Sequence, residues 1–518
     1  CGQSNVNFNQ SVKGMNFDLG RNPGAFAIRL PGAQGATIED IDIDARGAFA
    51  GLYNPTGQAG GNYNINIEGG KYAVYQSRVK RRYQSRYTIF SGCTFKNQEV
   101  AVIHVDLRHP MLFVGFHIIQ EQGPINISMP LDGLTMVEGI IEIGAGNLLE
   151  TTGKSVYMEN VYIKGAREVA YGSKIEDTGS WTLINEYAYC SPEDSKNMIN
   201  GQLNNSSTMD KVEGLDIDSE KMFMKFYSRH CWDVRTYPHF MDPEVVNVKD
   251  PVKMKGNPAK GDGISDDSKA LEFAIANYDK VFLPKGNYVI SKTLRLKENT
   301  QLFGMSRTLS IIRIGDEWNS DYGNAMIETI NDKNAETTIS FLNIRSSEKH
   351  PLIWRAGEKS LVRCINTRNV IIEENGGGRW FAMSNVGSQL LIDGTSNYLA
   401  MYETNPERAS DPQYEIRDSE NIKMFYVKTE AGTDGHQVMT TLRIKNSKDI
   451  DIYNSTGNVQ LNGSDGMGMI EVINSRDIKI VHVNPFHQGT NWYILKEIHN
   501  DSKNTLGPEY KLAVFKRD

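Results

Sequence analysis

Five glutamates lie within one short segment of the chain, and carboxyl groups are well suited to giving and taking protons in enzymes. They are Glu403, Glu407, Glu415, Glu420 and Glu430. The spacing from Glu407 to Glu430, like that from Glu403 to Glu430, is close to the repeat length in this part of the chain. Either pair is therefore expected on neighbouring coils. Glu415, like Glu430, follows the strand phrases; the alternative for each glutamate is a solvent-facing position.

Three aromatic residues near these glutamates, Trp354, Trp380 and Tyr402, are candidates for contact with sugar rings. The face of an aromatic ring suits the apolar face of a pyranose. Trp380 follows a glycine run, Gly376 to Gly378, that favours a tight backbone approach or a bulge. The alternative role for all three rings is packing in the core or at the end of a coil.

A short phrase recurs three times near the C-terminus, and the step from each copy to the next is the same. Its Ile-x-Ile or Ile-x-Met pair indicates a short strand with one buried face, and its Ser, Asn and Asp residues indicate a turn. One strand and one turn cannot bury a core alone, so such repeats must stack. The phrase therefore predicts an all-β parallel β-helix; its three copies are Ser419-Glu-Asn-Ile-Lys-Met, Ser447-Lys-Asp-Ile-Asp-Ile and Ser475-Arg-Asp-Ile-Lys-Ile.

Strand phrases also occur in the first half of the chain. Ile41-Asp-Ile43 and Ile65-Asn-Ile67 are separated by a slightly shorter step, and each is followed by a glycine-containing turn. Residues 186–235 are polar and irregular, which predicts a long loop.

A new start signal lies in the middle of the chain, where Gly261 opens the stretch GDGISDDSKALEFAI. Asp266 or Asp267 is expected to cap a helix near 266–278 whose apolar face covers the open end of a stack of coils. We therefore predict two tandem right-handed parallel β-helices packed side by side, residues 1–240 and 241–518. Since no similar cap precedes residues 6–19, the first β-helix is expected to lack its own start.

Composition excludes several kinds of partner. The net charge of −7 over 518 residues gives no basic surface for nucleic acid, and no run of about 20 apolar residues predicts a membrane span. The short basic run from Arg78 to Arg86 is interpreted as a solvated turn, with a binding patch as the alternative. No metal-ligand spacing appears, so no metal or cofactor is expected. The protein is expected to be a monomer.

The five cysteines are scattered and too few for a disulfide framework, although one bridge, Cys190–Cys231, is compatible with the sequence. Cys1 followed by Gly-Gln-Ser resembles a lipid-modified bacterial N-terminus, and the alternative is that the chain merely starts there. A secreted or cell-surface location, with or without a lipid anchor, is expected.

The phrase GDGISDDSKALEFAI followed by VFLPKGNYVIS resembles the opening of the pectate-lyase-like β-helix superfamily. A narrower resemblance, from about residue 5 to 485, is to glycoside hydrolase family 55, the exo-β-1,3-glucanases that act on laminarin. The phrases that carry it are NVNFNQSVKGMNFDL from Asn5, GAQGATI from Gly32, GGGRWF from Gly376, NPERA from Asn405, EIRDSENI from Glu415 and KTE ending at Glu430.

This resemblance implies an inverting hydrolase that releases glucose from β-1,3-glucan. Inversion needs a protonated carboxyl group beside the leaving oxygen and a water on the opposite face of the sugar. By resemblance, Glu430 is the general acid, Glu407 is a supporting carboxylate and Gln34 helps to hold the water, in a groove between the two β-helices. The chain departs from the family where a serine is expected in the turn 57–61 and where a tyrosine is expected at Thr433.

Two other functions stay open. One is a β-helix hydrolase or lyase that acts on another glycan. The other is a carbohydrate-binding protein without catalytic activity, which the two departures from the family pattern make credible. The fragments Asp434-Gly-His436 and Arg443-Ile-Lys445 are similar to parts of polygalacturonases, but the three aspartates that those enzymes need are not found.

Overall fold

The computed structural model describes residues 7–57, 60–77, 87–105, 110–121, 127–129, 133–151, 155–191, 195–234, 237–318, 325–345, 351–386, 389–407, 411–431, 440–460, 466–488 and 492–518. The fold is all-β, with 57% strand and 5% helix, and it is a parallel β-solenoid as predicted. The chain divides into two compact units. The first unit contains residues 1–235, 481–484 and 511–515, and the second contains residues 236–480, 485–510 and 516–518.

The N-terminal part of the chain forms two sheets of the first unit. One sheet has the strand order β1-β3-β5-β7-β10-β12-β14-β15-β18, with β8 beside β5 and β10, and the other has the order β13-β11-β9-β6-β4-β2. The strands are β1 Ser11–Asp18, β2 Phe26–Ile28, β3 Thr37–Asp44, β4 Ala50–Tyr53, β5 Gly61–Glu68, β6 Tyr72–Gln76, β7 Thr88–Ser91, β8 Thr94–Lys96, β9 Ala101–Val105, β10 Met111–Gln120, β11 Ile127–Met129, β12 Leu134–Asn147, β13 Leu149–Thr151, β14 Ser155–Glu168, β15 Trp181–Cys190, β16 Ser195–Ile199, β17 Gln202–Asn204 and β18 Thr208–Leu215.

The predicted strand phrases of the first half are paired coil on coil. Ile41 lies opposite Ile65 and Ile43 lies opposite Ile67 in the parallel pair β3–β5. These isoleucines are buried with the matching apolar residues of the other coils in one continuous core. The alternation in sequence thus places one side chain of each pair inside the solenoid and its neighbour outside.

The loop prediction for residues 186–235 is wrong. The segment continues the long strand β15, adds β16 to β18 and ends in a helix, α1, at Ser219–His230. Strands β14, β15 and β18 pair antiparallel, which ends the parallel stack of this sheet. Asp218 caps the N-terminus of helix α1, and its side chain accepts a hydrogen bond from the backbone N–H of Lys221. The helix buries Phe223 and Phe226.

The remaining strands begin at residue 246. One sheet has the order β23-β26-β29-β32-β34-β36-β38-β40-β43-β44, and a second sheet contains the parallel neighbours β33, β35, β37 and β39. The strands are β19 Val246–Asn247, β20 Asp262–Asp266, β21 Lys280–Leu283, β22 Gly286–Ile290, β23 Leu294–Leu296, β24 Gln301–Gly304, β25 Ser310–Ile314, β26 Ile327–Thr329, β27 Thr338–Ser340, β28 Asn343–Arg345, β29 Leu352–Trp354, β30 Leu361–Arg363, β31 Asn366–Thr367, β32 Val370–Glu373, β33 Gly378–Val386, β34 Leu390–Asp393, β35 Leu399–Glu407, β36 Tyr414–Arg417, β37 Glu420–Ala431, β38 Leu442–Lys445, β39 Lys448–Gln460, β40 Gly468–Ile473, β41 Arg476–Val483, β42 Phe486–Gln488, β43 Tyr493–His499, β44 Ser502–Leu506 and β45 Lys511–Arg517.

A helix, α2, at Ser268–Asn277 lies where the sequence places the cap. Its start differs from the expected one, because the Asp267 side chain makes no bond to the helix and accepts the backbone N–H groups of Lys260 and Gly261 instead. The Asp266 carboxylate accepts the backbone N–H and the hydroxyl group of Ser268. The aspartate pair therefore joins the helix start to the preceding turn.

The repeated phrase forms a ladder of serines. The backbone N–H of Ser419 donates to the hydroxyl oxygen of Ser447 at 3.2 Å, and the N–H of Ser447 donates to that of Ser475 at 3.1 Å. The residues before these serines, Asp418, Asn446 and Asn474, are left-handed (φ 49°, 49° and 46°). Each step of the repeat is thus one coil, fixed by a side-chain hydrogen bond at every turn.

Candidate functional site

Four neighbouring strands of the second unit, β33, β35, β37 and β39, each contain a left-handed non-glycine residue near the middle. These are Ala382, Glu403, Tyr426 and Asn454, with φ between 52° and 67°. After this kink the strands continue in register with more polar side chains. Ser384 of β33 lies opposite Asn405 of β35, and Lys428 of β37 lies opposite Thr456 of β39. We call these last four residues the polar row.

Within the middle pair of strands, the paired register of β35 with β37 ends at Thr404 and Val427, the residues just before Asn405 and Lys428. Consecutive strands of a sheet lie about 4.8 Å apart, so side chains at one level are direct neighbours. All four residues of the row are at most 9% exposed. The row is therefore a buried polar strip on one face of the sheet.

Glu430 lies two residues beyond the row on β37, on the same face as Lys428. The ammonium group of Lys428 is 3.0 Å from its Oε1 atom, and the Glu430 side chain is 14% exposed. The backbone carbonyl of Glu430 accepts a hydrogen bond from the side-chain amide of the buried Gln413. Both its backbone and its side chain are thus held, while a small part of the side chain is exposed to solvent.

Glu407 is the last residue of β35, and its side chain lies outside the described residues. Its backbone lies opposite Val386 of β33. Glu407 follows Thr404 at the same distance along the chain as Glu430 follows Val427, but the paired register of β35 with β37 ends at Thr404 and Val427. The expected neighbour relation of Glu407 and Glu430 and their roles stay predictions.

Asn405 has an unusual environment. It has no exposed surface, and within the described part of the chain neither its Nδ2 nor its Oδ1 atom has a hydrogen-bond partner. A buried polar group left without a partner costs about 1–3 kcal/mol, so native proteins rarely keep one without a reason. No sequence pattern indicated this environment, because burial of an asparagine depends on what covers its strand. Glu403, on the same strand, is also buried, at 1% exposure.

Glu415 lies on a different sheet from Glu430. It belongs to β36, where it faces Leu391 of β34 and Arg443 of β38. Arg443 in turn bonds to Glu471, 3.0 Å away, and Glu471 to Lys496, 3.3 Å away. The register thus places Glu415 in a column of alternating charges that joins successive coils, and the structure does not bring it to the polar row.

The three predicted sugar-stacking rings are all buried, which corrects their assignment. Trp354, Trp380 and Tyr402 have no exposed surface. The two tryptophan rings contact each other edge to face with centroids 5.0 Å apart, and the Trp354 indole N–H donates to the carbonyl of Gly377. Tyr402 is stacked between Phe381 and Phe425, at 4.4 and 4.9 Å. These rings pack against each other, so none presents an open face to a sugar.

Gln34 lies in the first unit, in the loop before β3, and is partly buried. Its carbonyl accepts the backbone N–H of Asn9 at 3.0 Å. The same corner contains Thr56, a buried hydroxyl close to the turn where a serine is expected, but this hydroxyl donates to the carbonyl of Ala36 at 3.2 Å. Residues 58–59 of that turn and Thr433 lie outside the described residues. The role of Gln34 remains a prediction.

A second group of charged residues, in the first unit, was missed in the sequence. Glu138 on β12 contacts His230 through its Oε2 atom at 2.7 Å and Arg229 through its Oε1 atom. The hydroxyl group of Ser91 donates to the His230 carbonyl at 2.7 Å. We call Glu138, Arg229 and His230 the helix-anchoring cluster, because it ties helix α1 to the sheet. Glu138 is far from Arg229 and His230 in the sequence, and no local motif connects them.

A third charged group lies on the second unit. Asp451 on β39 lies between Lys423 on β37, at 3.0 Å, and Lys479 on β41, at 3.4 Å. Burial raises the pKa of Asp451, but the two ammonium groups lower it more, and the net pKa is below the ordinary value of 3.8. The aspartate is thus a charged link between successive coils.

Among the described residues, no group of three or more His, Cys, Asp and Glu side chains is placed to hold a metal ion. Cys190 and Cys231 are not joined to each other, so the compatible disulfide does not form. Burial raises the pKa of the Cys190 thiol to about 11. In the described part of the chain, no helix is long and apolar enough to cross a membrane.

The fold class follows from these coils together with a match to a family model. Residues 246–349, which include α2 and strands β19 to β28, match the model described as rhamnogalacturonase A/epimerase, pectate lyase-like. This is the region whose opening phrase resembled the pectate-lyase-like superfamily. Residues 246–349 are therefore similar to pectate-lyase-like proteins, and the described coils form a parallel β-solenoid.

Similarity to individual proteins is limited. The chain is 26% identical over 327 residues to the non-secreted LysM effector LysM19 of Penicillium expansum, which covers 58% of this chain and 25% of that protein. It is 38% identical over 65 residues to the preneck appendage protein of Bacillus phage PZA, which covers 12% of this chain and 8% of that one. The chain thus spans a quarter or less of the length of these relatives.

A solved structure also matches over most of the chain. It is sacteLam55A from Streptomyces sp. SirexAA-E, with 8% identity and a TM-score of 0.42 over 98% of this chain and 91% of that one.

Proposed function

We propose that this protein is a glycoside hydrolase that degrades a polysaccharide, and more specifically an inverting exo-β-1,3-glucanase that releases glucose from laminarin-type β-glucan. The observation that carries the proposal is Glu430, whose side chain is 14% exposed and whose Oε1 atom is held by Lys428 at 3.0 Å. A partly exposed carboxyl group in a fixed position is suited to meet a substrate oxygen. The narrower activity comes from the family resemblance of the sequence.

In the proposed reaction, Glu430 gives a proton to the glycosidic oxygen as the bond to the anomeric carbon breaks. A water attacks that carbon from the opposite face, and its proton passes to a base. Glu407 is proposed as the supporting carboxylate and Gln34 as a residue that holds the water. Lys428 is proposed as a positioning residue that fixes the Glu430 side chain between turnovers.

The test is glucose release from laminari-oligosaccharides by the wild-type protein and by Glu430→Gln. General acid catalysis contributes about 10²–10⁴-fold to rates, so the variant should be slower by at least about 100-fold. Glu415→Gln is the matched control, because Glu415 lies on the other sheet, and its rate should equal that of the wild type. Equal rates for Glu430→Gln and wild type would remove Glu430 from the mechanism.

The stereochemistry of the product gives an independent test. An inverting enzyme that acts on a β-linkage forms α-glucose first, and proton NMR of the fresh product distinguishes it from β-glucose. Initial formation of β-glucose would contradict the inverting mechanism.

A second candidate is a hydrolase or lyase that acts on another glycan. It is favoured by the description of the matching family model, rhamnogalacturonase A/epimerase. Incubation with acidic and neutral polysaccharides separates the two reactions, since a lyase product absorbs in the ultraviolet and a hydrolase product does not. Binding of oligosaccharides without turnover would favour the third candidate, a carbohydrate-binding protein. We further propose a monomer in a secreted or cell-surface location.

A further inference from the structure

Strand β37 is paired differently on its two sides where it reaches Glu430. Its pairing with β39 continues through Ala431, whereas its pairing with β35 extends from Ile422 to Val427 and ends there among the described residues. Pro406 of β35 has no backbone N–H group, so this end of β35 offers one donor fewer to a neighbouring strand. The backbone of β37 near Glu430 therefore needs other donors on the β35 side.

Two consecutive residues at the start of β36, on another sheet, supply these donors. The hydroxyl oxygen of Tyr414 lies 2.9 Å from the carbonyl oxygen of Thr404 on β35 and 3.2 Å from that of Lys428 on β37. The side-chain amide of Gln413 donates to the carbonyl oxygen of Glu430. We call Gln413 and Tyr414 the supporting pair, because it holds β35 and β37 where their own ladder has ended.

The supporting pair is buried. Gln413 has no exposed surface, and Tyr414 is 1% exposed. Tyr414 lies opposite Leu390 and Leu442 in its sheet, and both leucines are fully buried. Because the supporting pair has almost no surface, it can influence a substrate only through the strands that it holds.

The strand that the supporting pair holds contains the proposed acid. A general acid must come within about 2.6–3.2 Å of the oxygen that takes its proton. Lys428 fixes the Glu430 side chain at 3.0 Å, and the Tyr414 hydroxyl group holds the carbonyl of the same lysine. Gln413 holds the carbonyl of Glu430 itself.

We propose that Gln413 and Tyr414 are positioning residues that place the carboxyl group of Glu430 for proton transfer to the glycosidic oxygen. This proposal rests on the proposed function, since it concerns the same acid. It extends the proposed site to two buried residues of a different sheet, which no substrate touches.

The first test is Tyr414→Phe, which removes only the hydroxyl group. Its kcat on laminari-oligosaccharides should fall at least about tenfold, because even a small misplacement of a catalytic group costs up to about 100-fold. Its KM should stay within about twofold of the wild-type value, since the buried ring does not contact the sugar. Gln413→Leu, which removes the amide donor, should also lower kcat with little change of KM.

Tyr187→Phe is the matched control. Tyr187 of the first unit is also 1% exposed, and its hydroxyl group donates to a backbone carbonyl, that of Ala170, at 3.1 Å. The two Tyr→Phe variants should therefore have similar Tm values, while only Tyr414→Phe should lose activity. Circular dichroism verifies that each variant is folded, and Gln413→Leu provides the same test if Tyr414→Phe does not fold.

Adding Tyr414→Phe to Glu430→Gln separates positioning from a general structural role. A residue that acts through the carboxyl group of Glu430 has no further effect once that group is gone, so the double variant should be as active as Glu430→Gln alone. A loss by the same factor in both backgrounds would show a general structural role and would overturn the proposal.

The proposed function and the positioning role fail in different measurements. Equal rates for wild type and Glu430→Gln would remove Glu430 from the mechanism, and the positioning role with it. A slow Glu430→Gln beside a fully active Tyr414→Phe and Gln413→Leu would contradict the positioning role alone.

Discussion

In each unit, left-handed residues at matching positions of neighbouring strands form a column across one sheet. Each column contains one buried glutamate, Glu138 in the first unit and Glu403 in the second. In the first unit three polar members of the column, Asp40, Asn64 and Glu138, bond to helix α1 or to Trp232, two residues beyond its end. Asp40 accepts the indole N–H of Trp232 at 3.0 Å, and Asn64 accepts the hydroxyl group of Tyr227 at 2.9 Å.

The close fit of the helix extends to the glycine of this column. A Cβ atom added to Gly115 would lie 2.8 Å from the Cβ atom of His230, and the backbone there has a φ of 60°. Only glycine tolerates both conditions without strain. The column of the first unit is therefore a surface built to receive a helix.

The column of the second unit is followed by strands that continue into the polar row. There, among the described residues, the buried amide of Asn405 has no hydrogen-bond partner, and the Glu430 side chain is 14% exposed. Buried polar residues on a β-solenoid therefore do not by themselves indicate a functional site. They indicate one where their polar atoms are not already bonded to another helix or strand.

The largest effect on stability is expected from Glu138→Ala in the first unit. The change leaves the buried His230 without its 2.7 Å partner and removes the Arg229 contact, and breaking a buried pair costs about 3–5 kcal/mol. Urea unfolding followed by circular dichroism measures the loss. Glu121→Ala is the control, since the Glu121 side chain is 64% exposed and should change the stability by less than about 0.5 kcal/mol. A small loss for Glu138→Ala would mean that the cluster does not anchor the helix.

An intermediate effect is expected from Asp451→Asn in the second unit. The variant should lose about 2 kcal/mol at pH 7, because Lys423 and Lys479 keep partial contact with water but lose a shared carboxylate. The pKa of Asp451 is lower in the folded state than its ordinary value of 3.8. Its contribution is therefore complete above about pH 4 and is lost as the pH falls through the folded pKa.

The measurement is the free energy of unfolding of both proteins between pH 2 and 7. The difference between wild type and Asp451→Asn should shrink toward acid pH. A difference that stays constant over this range would show that the charge of Asp451 is not what links the coils.

The smallest effect is expected from Ser447→Ala, which removes one step of the serine ladder. The backbone N–H of Ser419 loses its acceptor at 3.2 Å, and the hydroxyl no longer donates to the carbonyl of Lys445. The expected loss is about 1–2 kcal/mol by chemical denaturation. Ser228→Ala, at an exposed position of helix α1, is the control and should have less than half of this effect. Equal losses of stability in the two variants would indicate that the serine ladder does not stabilise the coils more than an ordinary hydroxyl group does.

Much of the fold could be predicted because the repeat is local. The constant spacing of the repeated phrase predicted the register of β37 and β39, where Ile422 lies opposite Ile450 and Met424 lies opposite Ile452. Helix α1 was missed because its segment is polar overall and its apolar residues, Phe223 and Phe226, were read as part of an irregular stretch.

The candidate site was harder to predict. The sequence placed Glu430 beside the strand phrases, and the structure places it on a strand next to a buried polar row. The sequence also suggested Trp354, Trp380 and Tyr402 as sugar contacts, which the burial of all three rings corrects. An aromatic residue in a strand has the same local pattern whether its ring packs inside the protein or faces a ligand.

The sequence by itself determined the coil length, the parallel stacking and the turn residues, because alternation and turn chemistry act between near neighbours along the chain. Only the tertiary structure decided which polar groups are already hydrogen-bonded within the protein. Glu138 meets His230 from a distant part of the sequence, Glu415 belongs to another sheet than Glu430, and Asn405 is covered without being bonded within the described part of the chain. Burial and hydrogen bonding of a side chain depend on the segments that the fold brings over it, and no local pattern contains that information.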